Sequence, residues 1–491
     1  MYAIRDRWLE TVLKYKLNPD KPGSDKFWSP GLEQVSRDRI REIQSEKLAI
    51  AFHYLYEHSA YYRNKFKEAK LMPRDVKSVD DLWKIPITTK QEWLKDQSEY
   101  PPWGTFSPIS HERWTTCGWM MFATSGTTTA LPRVFRHTLH DKDMWAWLGA
   151  RGYWAMGVRP GDIVMNCFGY GPSVAFWCLH YGMHLLGCPV IPGGGMNTQR
   201  RALFIDTYKP TILACTPSYA LYLGRTMEEL GYSPKESSVR LIISAGEPGP
   251  CVPSTKRRIE ELWGAKLHDD FGCTEVAMTP FGYTCEFEVD QTERPVNTHL
   301  MEDAYIPEIL NPETLEPVKE GEEGILVVSN LFSEAQPILR YMMGDWTALT
   351  SEPCPCGRSH ARAVGGLRGR SDGMFKIRGL AFFPSTIEDS IRKHPDLGDE
   401  FQVEITRVDE MDQVKITVEP ESAIPKDSYI VPRERLQKEL KGALGIDVQV
   451  ELVPYGSLPR TSFKSKRIID MRESPFPGDR SAKKDEEGQN D

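Results

Sequence analysis

Cys354-Pro-Cys-Gly-Arg358 runs on through Gly369-Arg370-Ser371-Asp372 and Lys376-Ile377-Arg378-Gly379 to Phe383-Pro384-Ser385. A second informative stretch, Leu458-Pro-Arg-Thr-Ser-Phe-Lys464, lies near the end of the chain. Between them the texture changes at Asp372. Beyond it Phe401, Val403 and Ile405, then Val414, Ile416 and Val418, alternate with period two, as in half-buried strands. Residues 387–393 and 434–444 read as helices, and 448–453 as a further strand. The spacing predicts a compact α+β unit of about a hundred residues, a normal size for an independent domain. From Met471 the chain is Pro, Gly and charge, too poor in apolar surface to offset its ordering entropy, so a disordered tail is expected over 471–491.

Upstream the first hundred residues read as helical and charged, with Ile40, Ile43, Leu48, Phe52 and Leu55 along one stripe. From about residue 143 to 282, apolar runs alternate with helical segments. Residues 162–166, 188–192, 211–215 and 239–245 each end near Gly, Pro, Ser or Thr. That is the pattern of α/β units on a largely parallel sheet, whose ligands sit at the carboxyl ends of the strands. A strand-rich subdomain starts at Glu323.

The chain has 491 residues, which implies two or three domains. A formal net charge of −8 argues against nucleic acid or an anionic membrane as the main partner. No N-terminal targeting signal is evident, and a cytoplasmic location is expected. Residues 163–199 contain no Asp, Glu, Lys or Arg, but Gly and Pro interrupt the run repeatedly. Buried strand–turn–helix structure around a ligand site accounts for it better than a membrane span. Ten cysteines in so long a chain do not suggest a disulfide scaffold.

Several short motifs carry chemistry. The loop from Ala123 to Pro132 contains Ser125, Gly126, Thr127 and Thr128, whose amides and hydroxyls can wrap a phosphate chain. A plain turn is an equal alternative for that loop taken alone. Glu275 offers a carboxylate that suits a hard cation bridging phosphate oxygens. Lys464 is a flexible point charge.

Together, and in this order, the motifs resemble those of the phenylacetate–coenzyme A ligase family of adenylate-forming enzymes, over about residues 37–470. The resemblance implies an α/β fold with a large multi-subdomain N-terminal adenylate-forming domain over 1–371. A small, mobile α+β C-terminal domain over 372–470 would follow, with Asp372 as the hinge. ATP would be bound by Ser125, Gly126, Thr127 and Thr128, by Gly246, Glu247 and Pro248, by Asp270, Phe271, Gly272 and Thr274, and by Asp345 and Arg370. The catalytic residues it implies are Lys464, Glu275 as the Mg2+ ligand, and Arg370. Phe168, Tyr170, Gly171, Phe176 and Ala245 would line the acid pocket. There are departures from the family pattern. Thr129 stands where a glycine is usual, and Leu131 where a lysine often precedes the proline, so Arg133 or Arg136 is left to supply that charge. Phe463 replaces the glycine before Lys464. Ala175 and Phe176 replace paired glycines, which reshapes the pocket.

Some members of the family hold zinc at positions matching Cys285, His299, Cys354 and Cys356. Three thiolates and an imidazole complete a tetrahedral structural Zn2+ site, with buried free thiols as the alternative. The implied reaction uses ATP, Mg2+ and coenzyme A to turn an aromatic or small hydrophobic carboxylic acid into an acyl-adenylate and then a thioester. A homodimer is left open. Two alternatives stand beside this reading: a ligase with another acceptor (amine, carrier protein, or AMP transfer as in coenzyme F390 synthetases), and a non-catalytic nucleotide-binding relative.

Overall fold

The computed structural model describes residues 3–124, 133–277, 280–292, 294–370, 374–377, 380–408, 411–460 and 467–472. Ser125, Gly126, Thr127, Thr128, Asp372, Lys464 and nearly all of the expected tail lie outside the described residues.

The N-terminal portion opens on helices. Arg37–His58 starts at Ser36, whose side chain accepts from the Arg39 amide and satisfies one orphan donor of the first turn. Its Ile40, Ile43, Leu48, Phe52 and Leu55 are all buried, as the stripe implied. The same helix also buries Gln44 and Lys47, which the stripe did not anticipate. Gln44 donates to the carbonyls of Glu302 and Tyr305, and Lys47 to that of Asp303. Burial pushes the Lys47 ammonium down to about 8. Beside it Arg151 and Asp303 form a buried two-pronged pair, both contacts 2.8 Å.

The main sheet runs, in spatial order, Leu349–Thr350, Arg362–Ala363, Thr298–Leu300, Gly282–Tyr283, Lys266–Phe271, Leu241–Ser244, Ile212–Cys215, Val164–Asn166 and Val190–Pro192. The last five are mutually parallel, and the first four add antiparallel strands at one side. Ile212–Cys215 and Leu241–Ser244 are buried throughout, as strands covered on both faces must be. The charge-free run resolves into strand Val164–Asn166, helix Val174–Leu185 and strand Val190–Pro192. Among the described residues, no helix is long and apolar enough to cross a membrane. A second, antiparallel sheet comprises Tyr305–Leu310, Gly324–Asn330, Tyr341–Thr347 and Gly369–Arg370.

Beyond residue 374 a separate apolar core forms around Ile387, Ile391, Val403, Ile416, Leu436 and Leu440. Long strands Leu397–Val408 and Met411–Pro420 pair antiparallel at the centre of its sheet, while Gln449–Leu452 and Ile468–Asp470 flank them in parallel. Helices Pro384–Arg392 and Ile430–Leu444 belong to the same unit. It docks on the larger domain through arginines. Arg258 donates to the carbonyls of Arg392, His394 and Leu397 at 2.7–3.1 Å and pairs with Asp399 at 2.9 Å. Arg225 pairs with Glu421, and Thr255 donates to Glu388 at 2.9 Å.

Candidate active site

The parallel strands deliver loops to one edge of the sheet, where open α/β sheets hold their ligands. After Val164–Asn166 comes the segment with Phe168, Tyr170 and Gly171. Leu241–Ser244 is followed by Ala245, Gly246, Glu247 and Pro248, and Lys266–Phe271 by Gly272, Thr274 and Glu275. Gly246 is exposed at φ +86°, a left-handed conformation that a side chain would strain. The Glu247 carboxylate accepts from the Ser218 amide and hydroxyl at the start of helix Pro217–Glu229, tying two of these loops together. A negative charge is favoured at that helix end.

Glu275 lies in a short 3-10 turn, Thr274–Val276, pinned from behind by Tyr305 and Asn330, which both donate to the Val276 carbonyl. Its carboxylate is buried. Oε1 accepts from the Tyr341 hydroxyl at 3.1 Å and forms an ion pair with Arg133. Arg133 also donates to the Tyr341 hydroxyl at 3.2 Å, closing a triangle. Of the two arginines left open for the missing lysine, only this one reaches Glu275. Arg136 lies 4.5 Å and 4.2 Å from the rings of Trp103 and Trp114, where burial pulls its pKa down to about 10. A carboxylate held this firmly at a loop edge suits a hard cation.

Asp345 sits on Tyr341–Thr347, four residues after Tyr341, and its cross-strand partner is Arg370. Arg370 is exposed and donates to the Met343 carbonyl. Thus Asp345 and Arg370 share one strand pair, and Glu275 meets the same strand through Tyr341. Arg340, which opens the same motif, instead clamps Glu308 at 2.9 and 3.0 Å, a structural role. Phe271 packs against Phe281, and a Cβ on Gly282 would come within 2.7 Å of its ring, so that strand position accepts only glycine. Asp270 accepts from the Tyr153 hydroxyl at 2.8 Å, and burial pushes its carboxyl up to about 7. Asp269 is raised to about 7 as well, by burial and then by the Asp270 charge.

The expected acid pocket has two characters. Phe168 and Phe176 stack with centroids 4.5 Å apart. Beside them Tyr170 bonds to Asn166 and to the His180 ring, both at 2.9 Å. Burial lowers the His180 pKa, and His184 lowers it further, which disfavours a charged imidazolium there. Gly171 is exposed at the loop tip. The Ala123 amide donates to the Pro172 carbonyl at 2.7 Å, which joins the end of strand Trp119–Ala123 to the pocket segment. The sequence places His180 in the same pocket segment but does not link it or Asn166 to Tyr170, because their spacing carries no recognisable period.

The loop bearing Lys464 is described only at its ends. Arg460 makes a two-pronged pair with buried Glu419, which also accepts from the Gly456 amide. At the other end the Arg467 carbonyl accepts from the Val403 amide at 2.7 Å.

On the far side of the sheet, Cys285, His299, Cys354 and Cys356 are all buried, with one donor atom of each within 4.8 Å of the others. Cys285 and Cys354 sulfurs are 3.9 Å apart, and Cys356 Sγ is 3.4 Å from His299 Nε2. A tetrahedral zinc with ordinary bond lengths requires separations of about 3.8 Å for S···S and about 3.5 Å for S···N. The geometry fits. The Cys354 loop is pinned by Arg358, which pairs with buried Glu33 at 2.8 Å and directs its own amide to Cys356 Sγ.

Comparison with known proteins shows the family. Residues 74–332 match the AMP-binding enzyme family, and residues 379–472 match the AMP-binding enzyme C-terminal domain. The chain is 32% identical to phenylacetate-coenzyme A ligase of Thermus thermophilus over 91% of its own length and 100% of that protein's. It is 34% identical to the Aromatoleum evansii phenylacetate-coenzyme A ligase over 90% of its length and 98% of the relative's. Among solved structures, it resembles 2-hydroxyisobutyryl-CoA ligase with 2-HIB-AMP in the postadenylation state, at TM-score 0.85, 29% identity and coverage of 91% and 93%. Against the same enzyme with coenzyme A in the thioesterification state the TM-score is 0.68, at 30% identity and coverage of 92% and 94%. The chain belongs to the phenylacetate–coenzyme A ligase family of AMP-binding enzymes.

Proposed function

We propose that this site activates an aromatic or small hydrophobic carboxylic acid. The reaction class is that of an ATP-dependent, AMP-forming carboxylate–CoA ligase. A carboxylate oxygen attacks the α-phosphorus of ATP and pyrophosphate leaves. The coenzyme A thiol then attacks the acyl carbon, and AMP leaves. Glu275 is assigned to Mg2+, Asp345 to the ribose, and Arg370 to the α-phosphate side. The Gly246 loop and Phe271 line adenine, and Lys464 stabilises charge as the pentacoordinate phosphorus forms.

The acid class rests on one observation: the stacked Phe168–Phe176 wall inside a segment without charge, beside the Asn166–Tyr170–His180 network. A pyrophosphate-release screen across aromatic, short aliphatic and dicarboxylic acids tests it. Release with aromatic or short apolar acids supports it, and release with dicarboxylic acids alone overturns it.

Cys285, His299, Cys354 and Cys356 are assigned to one structural Zn2+. A cytoplasmic location is assigned with it, as free cysteines persist in reducing compartments. Asp372 is assigned as the hinge between a domain over 1–371 and one over 372–470. The higher similarity to the postadenylation state supports an arrangement in which the arginine contacts at Arg258 and Arg225 hold the small domain after the first half-reaction.

A further inference from the structure

The carboxylate assigned to magnesium is engaged by Arg133. Both groups are buried, and in so dry a setting a lone charge is costly while a pair is neutral. Among the described residues no other basic side chain forms an ion pair with Glu275, and none but Glu275 pairs with Arg133. Arg133 is also the first described residue after the hydroxyl-rich loop. Its carbonyl accepts from the Thr124 amide at 3.0 Å and its amide donates to the Thr124 hydroxyl at 3.3 Å. The base of the loop therefore closes at the residue whose side chain reaches the metal carboxylate. Where a lysine before the proline would carry the charge, Leu131 carries none.

We propose that Arg133 is a phosphate-binding residue that exchanges partners: it holds Glu275 while the site lacks nucleotide and passes to the polyphosphate when Mg2+ takes the carboxylate. This rests on the assignment of Glu275 to the metal. Before binding, guanidinium and carboxylate neutralise one another. Afterwards the Glu275 carboxylate would hold the divalent ion, and the planar fork of the arginine would face phosphate charge, a geometry it suits. Tyr341, bonded to both groups, stays with Glu275 and keeps it oriented.

Two ligands separate this from a purely structural salt bridge. In EDTA, with no metal, ATP has to draw Arg133 away from Glu275. Glu275→Gln frees the arginine, so metal-free ATP should bind about tenfold more tightly than to the wild type, the scale of one charge-assisted hydrogen bond. Arg133→Gln should bind metal-free ATP about tenfold more weakly. The same Arg133→Gln protein, without nucleotide, should take up Mn2+ about tenfold more tightly, because the carboxylate is no longer neutralised. Calorimetry reads the first two, and Mn2+ spin resonance the third. Unchanged metal-free ATP affinity in Glu275→Gln would overturn the exchange. That variant also carries the test if Arg133→Gln does not fold. Mn2+ binding to wild type with ATP that is undiminished in Glu275→Gln would instead remove the metal assignment, and the inference with it.

Discussion

Arg460 grips Glu419 through two contacts of 2.7 and 2.8 Å, at the base of the loop that carries Lys464. Glu419 is buried on a central strand of the small domain, so Arg460, at the described end of that segment, is anchored to the domain's core. Lys464→Ala should cut carboxylate-dependent pyrophosphate release by about 10²-fold or more, the scale of losing a preorganised charge. Thioester formation from supplied acyl-adenylate should be nearly unaffected. Pyrophosphate release at the wild-type rate would remove Lys464 from the first half-reaction.

The hinge assignment makes the opposite prediction. Proline at Asp372 fixes φ and restricts exchange between the two domain orientations. Asp372→Pro should still form acyl-adenylate in a single turnover, while its conversion to thioester slows sharply. Equal slowing of both steps in a folded protein would place the hinge elsewhere.

Arg258 holds the small domain by three carbonyls and Asp399. Arg258→Ala should weaken this orientation by about 2 kcal/mol or more, since hydrogen bonds to charged donors are the strong ones. The readout is the distance between fluorophores on the two domains, with acyl-adenylate present and no coenzyme A. An unchanged distance distribution would show that Arg258 does not set the orientation.

For the zinc assignment, elemental analysis of purified protein should find about one zinc per chain. Cys356→Ser should lose it and melt at lower temperature, because structural zinc contributes directly to folding. A zinc-free wild-type protein of full stability would leave three buried thiols and no metal.

Asp270 yields a pH test. Its carboxyl is raised by burial to about 7, against about 3.9 in an unfolded chain. Between those values the folded state binds the extra proton, so this group's contribution to stability is present at low pH and is lost as pH rises through 7. Asp270→Asn removes the loss. The stability of the variant relative to wild type should therefore improve from pH 5 to pH 8, by on the order of 2 kcal/mol. A difference that does not vary with pH would contradict the raised pKa of this carboxyl.

Much of this was legible in the sequence because it is local. The stripe from Ile40 to Leu55 is one helix face, and the alternation from Phe401 to Val418 is two paired strands. The apolar runs ending near Asn166 and Ser244 announced the site edge through the Gly, Pro and Ser around their ends, whereas strand Lys266–Phe271 was not read from the sequence. What escaped was the partner of each charge. Arg133 with Glu275, Arg460 with Glu419, and Arg258 with Asp399 join residues distant along the chain. Charge alone does not name a partner, since only the packed fold decides which opposite charge is desolvated beside it. Tyr341 illustrates the same limit: its motif was legible, but its hydroxyl bridging Arg133 and Glu275 was not.

The central claim, an acid activated by ATP and handed to coenzyme A, is tested most directly by one mass-spectrometric experiment. Wild-type enzyme is mixed with Mg-ATP and an acid that elicits pyrophosphate release, with and without coenzyme A, and every product is quantified. Without coenzyme A the account predicts enzyme-bound acyl-adenylate and matching pyrophosphate. With it, acyl-CoA and AMP should appear in equal amounts. Acyl-adenylate that persists beside unreacted coenzyme A would contradict the account and assign the acyl group to another acceptor.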